Sequence, residues 1–208
     1  MKIKYLAFAL AAPVIFVSCE NPADKTSDAK VSDAVDKSAT PAQAGTKYVF
    51  TPASQVNFIG SKVTGSHHGG FKEFTGYFTI KDGAPVGNDH KVVINMGSTF
   101  ADDEKLAIHL RGEDFFDVEK FPQAIFDVTG FKKDSSSAYT VSGNFTLRGK
   151  TKNISFPAAV SQSGDSVKID AKFDINRKDF GIVYPGKTDD LIRDEVVIEL
   201  KLEAKPQA

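Results

Sequence analysis

The chain has 208 residues, 41% of them hydrophobic and 25% charged, which suits one folded domain with a sizeable core plus shorter flanking segments. Its formal net charge is −1, so nothing favours a nucleic-acid partner, whose backbone needs a basic face. Phe occurs 17 times, Tyr 5 times and Trp not at all; phenylalanine brings apolar area without a polar handle, and so many of them in strands point to a wide apolar interior.

The first residues read as a targeting segment. Lys2 and Lys4 precede an apolar stretch over residues 5–17, shorter than the roughly 20 residues a membrane-spanning helix needs. Phe16-Val17-Ser18-Cys19 then has the form of a bacterial lipobox, with a small residue before the only cysteine. Residues 1–18 are therefore expected to be a lipoprotein signal peptide and Cys19 the lipid attachment site, where more than one acyl chain gives stable anchoring. A lone cysteine forms no intramolecular disulfide. Without residues 1–18 the chain has 24 basic and 27 acidic residues, a net charge of −3.

Residues 19–45 are expected to be the lipidated cysteine and a disordered tether. The segment is rich in Ala, Ser, Thr, Asp and Lys, has Pro22 and Pro41, and contains no aromatic residue, so it buries too little apolar surface to offset its ordering entropy. As a coil it would reach roughly 25–30 Å; a weakly amphipathic helix over residues 28–37 is the alternative. The folded domain, residues 46–208, would thus sit in the bacterial cell envelope, facing the periplasm or the cell surface.

From Thr46 onward, apolar and polar residues alternate with the period of half-buried strands. Residues 47–51 and 55–63 come first, the latter with Val56, Phe58 and Gly60 on one face. A turn is predicted over residues 65–70, Gly-Ser-His-His-Gly-Gly. Residues 72–81 align Phe74, Gly76, Phe78 and Ile80, and residues 90–97 align Val92, Ile94 and Met96. A short helix is predicted over residues 102–111, with Asp102 as its cap, Leu106 and Leu110 at i, i+4, and Gly112 as its stop.

The run at residues 109–122, His-Leu-Arg-Gly-Glu-Asp-Phe-Phe-Asp-Val-Glu-Lys-Phe-Pro, breaks the alternation. Phe115 and Phe116 are adjacent and cannot share one face of a strand, so the run reads as a plug at the end of a sheet. Strands resume over residues 123–131, 139–148 and 152–160, the second with Val141, Gly143 and Phe145 on its apolar face. Ser163-Gly164-Asp165 marks a hairpin, and the next strand aligns Val167, Ile169, Ala171, Phe173 and Ile175. A long loop over residues 177–193 precedes a final strand over residues 194–203. About eight strands, each with one wet face, form either a closed antiparallel barrel or a sandwich. Polar outer faces argue against a membrane-spanning barrel.

Small residues in register with large apolar ones, such as Gly76 between Phe74 and Phe78, either leave room for an apolar ligand or let strands coil tightly. The candidate cavity residues are Phe58, Phe74, Gly76, Phe78, Val141, Gly143, Phe145, Ile169 and Phe173, joined at one end by His109, Phe115 and Phe116. His67 and His68 could bind a metal but lack any partner at ligand spacing, and ordinary turn hydrogen bonds are the simpler reading, so no metal is expected. No nucleophile elbow or nucleotide-binding loop is present. His109 with Asp114 is the one candidate acid–base pair, and Arg177, Lys178 and Lys187 a candidate basic rim.

The 109–122 run resembles the signature of YceI-like proteins. Residues 143–152 (Gly-Asn-Phe-Thr-Leu-Arg-Gly-Lys-Thr-Lys), 176–182 (Asn-Arg-Lys-Asp-Phe-Gly-Ile), 65–69 and 74–78 support the resemblance in the family's order, over roughly residues 47–202. Gly112 stands where Ser is commoner in that family, and the tether and lipid anchor are additions to its usual secreted form. The resemblance implies an all-β, eight-stranded antiparallel lipocalin-like barrel enclosing a polyisoprenoid chain such as a quinone or prenyl phosphate. The expected protein is therefore not an enzyme and requires no cofactor. It binds, sequesters or carries an isoprenoid-type lipid, meets a membrane through its anchor, and is open to pairing as a homodimer. An enzyme acting on a lipid-like substrate, or a structural or stress-related surface lipoprotein with a filled core, are the competing readings.

Overall fold

The computed structural model describes residues 20–37, 44–87 and 89–207. Fifteen strands are seen among them. In chain order these are Ser27–Asp28 (β1), Lys30–Asp33 (β2), Thr46–Phe50 (β3), Gln55–Lys62 (β4), Gly65–Phe71 (β5), Phe74–Lys81 (β6), Ala84–Pro85 (β7), Lys91–Asn95 (β8), Thr99–Ala101 (β9), Gln123–Lys133 (β10), Ala138–Leu147 (β11), Lys150–Ser163 (β12), Ser166–Asn176 (β13), Gly186–Lys187 (β14) and Asp190–Pro206 (β15). One α-helix, Glu104–Arg111 (α1), stands between β9 and β10. Among the described residues no helix is long and apolar enough to cross a membrane.

Eight strands close on themselves in the order β13-β12-β11-β10-β8-β6-β3-β15, the last pairing back to β13. The long β15 makes the closure: it pairs along one side with β13 and along the other with β4 and then β3. The strands β4, β5 and β9 extend the wall over one half of the barrel. Alternation sets which faces turn inward. Val56 and Phe58 of β4 are buried, as are Val141 of β11 and Ile154, Phe156 and Ala158 of β12.

Residues 65–70, expected as a turn, form most of β5. A Cβ at Gly69 would strike the Phe58 ring and the Phe100 carbonyl, and one at Gly70 the Asn57 side chain and Val56 carbonyl. The glycines mark close approach of neighbouring backbones inside a sheet, not a turn. The helix is capped by Asp103, not Asp102: its Oδ1 accepts from Lys105 N at 2.7 Å and Leu106 N at 3.2 Å. Asp102 instead accepts from His68 N and meets His67 Nδ1, both at 2.9 Å, so backbone hydrogen bonding holds its carboxyl below the usual range. Gly112 does end the helix, in extended conformation, and the left-handed residue of the run is Asp117 at φ 49.

The larger correction concerns residues 20–37, expected as a free tether. The β12–β13 ladder runs only from Ser163–Ser166 to Ala159–Asp170. Two residues on is Pro157, which has no N–H to donate. Beyond it the strands part, and the N-terminal segment fills the gap: β1 pairs in parallel with β13, and β2 antiparallel with β12. Ala29, between them, is buried in the main core. Before β1, Ala23 covers Ile59 and Val197 on the outside of the barrel. Open strand edges order this segment through its backbone, which its poor apolar content could not do alone. Residues 27–28 and 30–33 are strand, not free coil, and no helix forms over 28–37. The signal peptide, Cys19 and residues 38–43 lie outside the described residues.

Candidate functional site: an apolar barrel interior

The two ends of the barrel are built differently. One end carries α1, the 112–122 run, the β11–β12 turn and residues 177–186. Phe115 is buried there, and Phe116 packs against Phe58 and Phe71 with ring centroids 6.4 and 6.0 Å away. Arg148 ties the pieces together: one guanidinium nitrogen donates to the Gly181 carbonyl at 2.5 Å and another to the Glu113 carbonyl at 2.6 Å. Arg177, 4% exposed, donates to the carbonyls of Ile182 (2.8 Å) and Arg193 (3.0 Å) and to Asp194 (3.2 Å). Burial draws its pKa down, against the pull of Asp194. This end is closed.

The opposite end is open. A void of ≈ 1120 Å³, counted out to the solvent at its mouth, is lined by Phe50, Phe78, Phe126, Val141, Ile169 and Leu202, with Tyr77, Lys91, Lys133 and Gln162 among its polar residues. A second void of ≈ 640 Å³, likewise counted out to solvent, shares Val92, Phe126, Phe156, Leu200 and Leu202 with it. A third of ≈ 790 Å³, counted the same way, lies at the closed end and shares Phe71, Ile94, Phe145, Ile175 and Ile198 with the second. The three thus succeed one another along the barrel, separated only by side chains.

His90 is the one histidine built into this interior. It is 1% exposed, lines the outer void and packs edge-on against Phe131 at 5.0 Å. Thr79 N donates to its Nδ1 at 3.0 Å, so the ring proton is on Nε2, facing the Gly87 carbonyl at 3.1 Å. Desolvation lowers its pKa, and the ring is neutral.

Of the residues singled out from the sequence, Phe78, Val141 and Ile169 line the outer void, Phe173 and Phe145 the middle one, and Phe58, Phe115, Phe116 and again Phe145 the inner one. Phe74 packs on Phe50 at 6.4 Å within the core. Gly76 and Gly143 do not leave room. The Phe50 ring occupies the space over Gly76, and the Phe126 ring that over Gly143, the pattern in which an aromatic covers a glycine on the neighbouring strand. Gly60 is different: nothing lies within 4 Å of its Cβ position, and it borders the inner void. Phe50, Phe126, Phe156 and the clamp Arg148 were not singled out, and Arg177 was expected at a basic rim, not as a buried clamp; Gly76 and Gly143 were the trace of the first two.

His109 lies on the outer side of the plug. Its Nε2 is 2.9 Å from Asp114 Oδ2, and its ring stands edge-on to Phe115 (5.0 Å) and Tyr184 (5.1 Å). It lines none of the three voids. The basic rim does not form either, since Arg177 is buried and Lys178 is paired with Asp194 at 2.7 Å. Among the described residues no group of three His, Cys, Asp or Glu side chains is placed to hold a metal.

The chain matches the YceI-like domain model over residues 48–204. It is 36% identical over 121 residues to a UPF0312 protein of Yersinia pestis (strain Pestoides F), covering 55% of this chain and 62% of that protein's length. A UPF0312 protein of Pseudomonas putida (strain W619) is 30% identical over 138 residues, covering 64% and 72%. Among solved structures, Burkholderia cenocepacia BcnA superposes with a TM-score of 0.66 at 24% identity, over 73% of this chain and 96% of the other. A polyisoprenoid binding domain from Saccharophagus degradans gives 0.65 at 17%, over 77% and 98%. At these identities the two structures establish a common fold, and with the domain match they establish the family: the chain belongs to the YceI-like proteins.

Proposed function

We propose that this protein binds an isoprenoid or similar amphiphilic lipid, such as a quinone or prenyl phosphate, and sequesters or carries it without chemical conversion, as a lipoprotein anchored through Cys19 in the bacterial cell envelope. One observation carries the reading: a succession of apolar voids runs along the barrel, from a mouth with polar residues at one end to the end capped by α1 and the 112–122 run. Burying an isoprenoid chain there is favoured by roughly 25 cal/mol per Å² of apolar area, and the polar residues at the mouth suit a head group. A family role in lipid binding supports it, as does the position of the His109–Asp114 pair outside the voids. Native mass spectrometry of the protein incubated with vesicles containing ubiquinone or a prenyl phosphate tests the reading; a mass unchanged under all loadings would overturn it. The mass of the mature N-terminus tests the anchor, which requires loss of residues 1–18 and acylation of Cys19.

A structural lipoprotein with a filled core is favoured by one observation, the Phe156–Phe173 stack at 4.1 Å inside the barrel. That reading predicts the same empty spectrum under every lipid.

A further inference from the structure

In the closed half β12 and β13, neighbours elsewhere in the barrel, are not paired with each other. There the two strands share no ladder beyond Ala159–Asp170, and the wall consists of residues 27–33. Directly behind this seam stand Ile154, Phe156, Phe173 and Ile175, all of which line the middle void. The seam thus lies directly over the middle void.

The filler is held differently from the rest of the wall. Two residue pairs join β1 to β13 and four join β2 to β12. Its only buried apolar side chains are the small Ala23 and Ala29. The remaining ties are polar and lie mostly at the surface: Thr26 to Asp174 at 2.6 Å, Lys152 to Asp33 at 2.9 Å, and Asn144 to the backbone of Val35. Every neighbouring strand instead places large aliphatic or aromatic groups in the core. A segment held by few apolar contacts and many exposed hydrogen bonds opens at lower free energy than the body it rests on.

The segment also lies closest to the anchor. Asn21 is buried against Ser61 and Glu195, so a lipid on Cys19 would be separated from the barrel by a single residue, not by a long coil. Val63, Ile108, Val183 and Leu191, four of the large exposed aliphatic side chains among the described residues, all sit at this closed end, and Val63 and Leu191 are joined by a backbone bond. Apolar side chains exposed beside a lipid anchor fit a bilayer surface. The closed end then faces the membrane and the open mouth faces away from it.

We infer that residues 27–33 are a removable stave of the barrel wall, and that an isoprenoid chain passes between the bilayer and the middle void through the slit they cover. This rests on the reading of the protein as an anchored isoprenoid binder. Lys30 and Ser155 are directly paired across β2 and β12, at a spacing a disulfide can bridge. The test is the Lys30→Cys, Ser155→Cys variant of the full lipoprotein in vesicles containing a dansyl-labelled prenyl phosphate. The rate of loading is followed before and after reduction. Oxidation should slow loading at least tenfold and reduction restore it. Equal rates in both states overturn the slit alone; no loading in either state, with wild type also unloaded, overturns the binding reading on which it rests. Hydrogen exchange on the wild-type protein gives a second measure that needs no variant. Amides of residues 27–33 should exchange well before those of β10 and β11, and uniform protection would overturn the proposal.

Discussion

Gly60 and Gly143 both stand on inward faces of the same barrel, and a larger side chain should have opposite effects at the two. A Cβ at Gly60 meets nothing within 4 Å, and no positive φ constrains the backbone there. In Gly60→Leu the side chain enters the inner void, where full burial of a leucine is worth ~1.5–3 kcal/mol. Replacing a strand glycine contributes a further ~0.5–1 kcal/mol. Allowing for imperfect fit, a gain of about 1–2 kcal/mol is expected, or a rise in Tm of roughly 2–8 °C for a domain of this size. In Gly143→Leu the Cβ falls on the Phe126 ring and 2.9 Å from the Asp127 carbonyl oxygen. Overpacking of this kind costs ~1–3 kcal/mol, a fall in Tm of comparable size. Calorimetry on both variants, with native mass spectrometry of lipid loading, separates the effects. Gly60→Leu should be the more stable protein yet take up long prenyl chains poorly, because the inner void is shortened. If it loses stability alongside Gly143→Leu, or loads long chains as well as wild type, the inner void is not where the structure puts it.

Three further outcomes are expected. His90 has a folded pKa below its unfolded value of about 6.5, so stability should fall as pH drops below 6.5, by at most ~1.4 kcal/mol per pH unit until the folded pKa is reached. Urea midpoints at pH 7 and pH 5 should show that loss in wild type and less of it in His90→Gln. Burial, with Asp28 and Glu195 nearby, raises the Asp174 pKa, and its charge therefore opposes docking of the N-terminal segment at neutral pH. Asp174→Asn keeps an acceptor for Thr26 and should slow amide exchange in residues 27–33 at pH 7; wild type should approach the same protection as the carboxyl protonates in acid. Arg177→Met leaves the Ile182 and Arg193 carbonyls and Asp194 without their buried cation, and should cost ~3–5 kcal/mol in denaturant unfolding, whereas Lys178→Met, at an exposed pair, should cost ~1 kcal/mol or less.

The long alternating strands were readable because each carries its own signal. A residue's inward or outward sense follows from pleating, so Phe58, Phe78, Val141, Phe145, Ile169 and Phe173 could be assigned to the interior before any strand was paired. Residues 65–70 misled because glycine serves two purposes, turns and close backbone contact, and only the neighbouring Phe58 and Phe100 distinguish them. Two marks of the N-terminal segment were also present. Phe58-Ile59 and the Val196-Val197-Ile198 run put apolar residues on both faces of their strands, which implies a cover on each side; Pro157 marked a ladder that could not continue.

By itself, then, the sequence determined the long alternating strands, their faces, the plug at residues 109–122 and the family they compose, since periodicity and local motifs are properties of short stretches. Tertiary structure alone decided which inward spaces are empty. Whether a glycine opens a cavity depends on an aromatic from another strand, as Phe50 does over Gly76 and Phe126 over Gly143, while Gly60 has no such neighbour. It also decided that a polar, proline-bearing leader becomes part of the wall, because the hydrogen-bonding edges that order it exist only once β12 and β13 have parted.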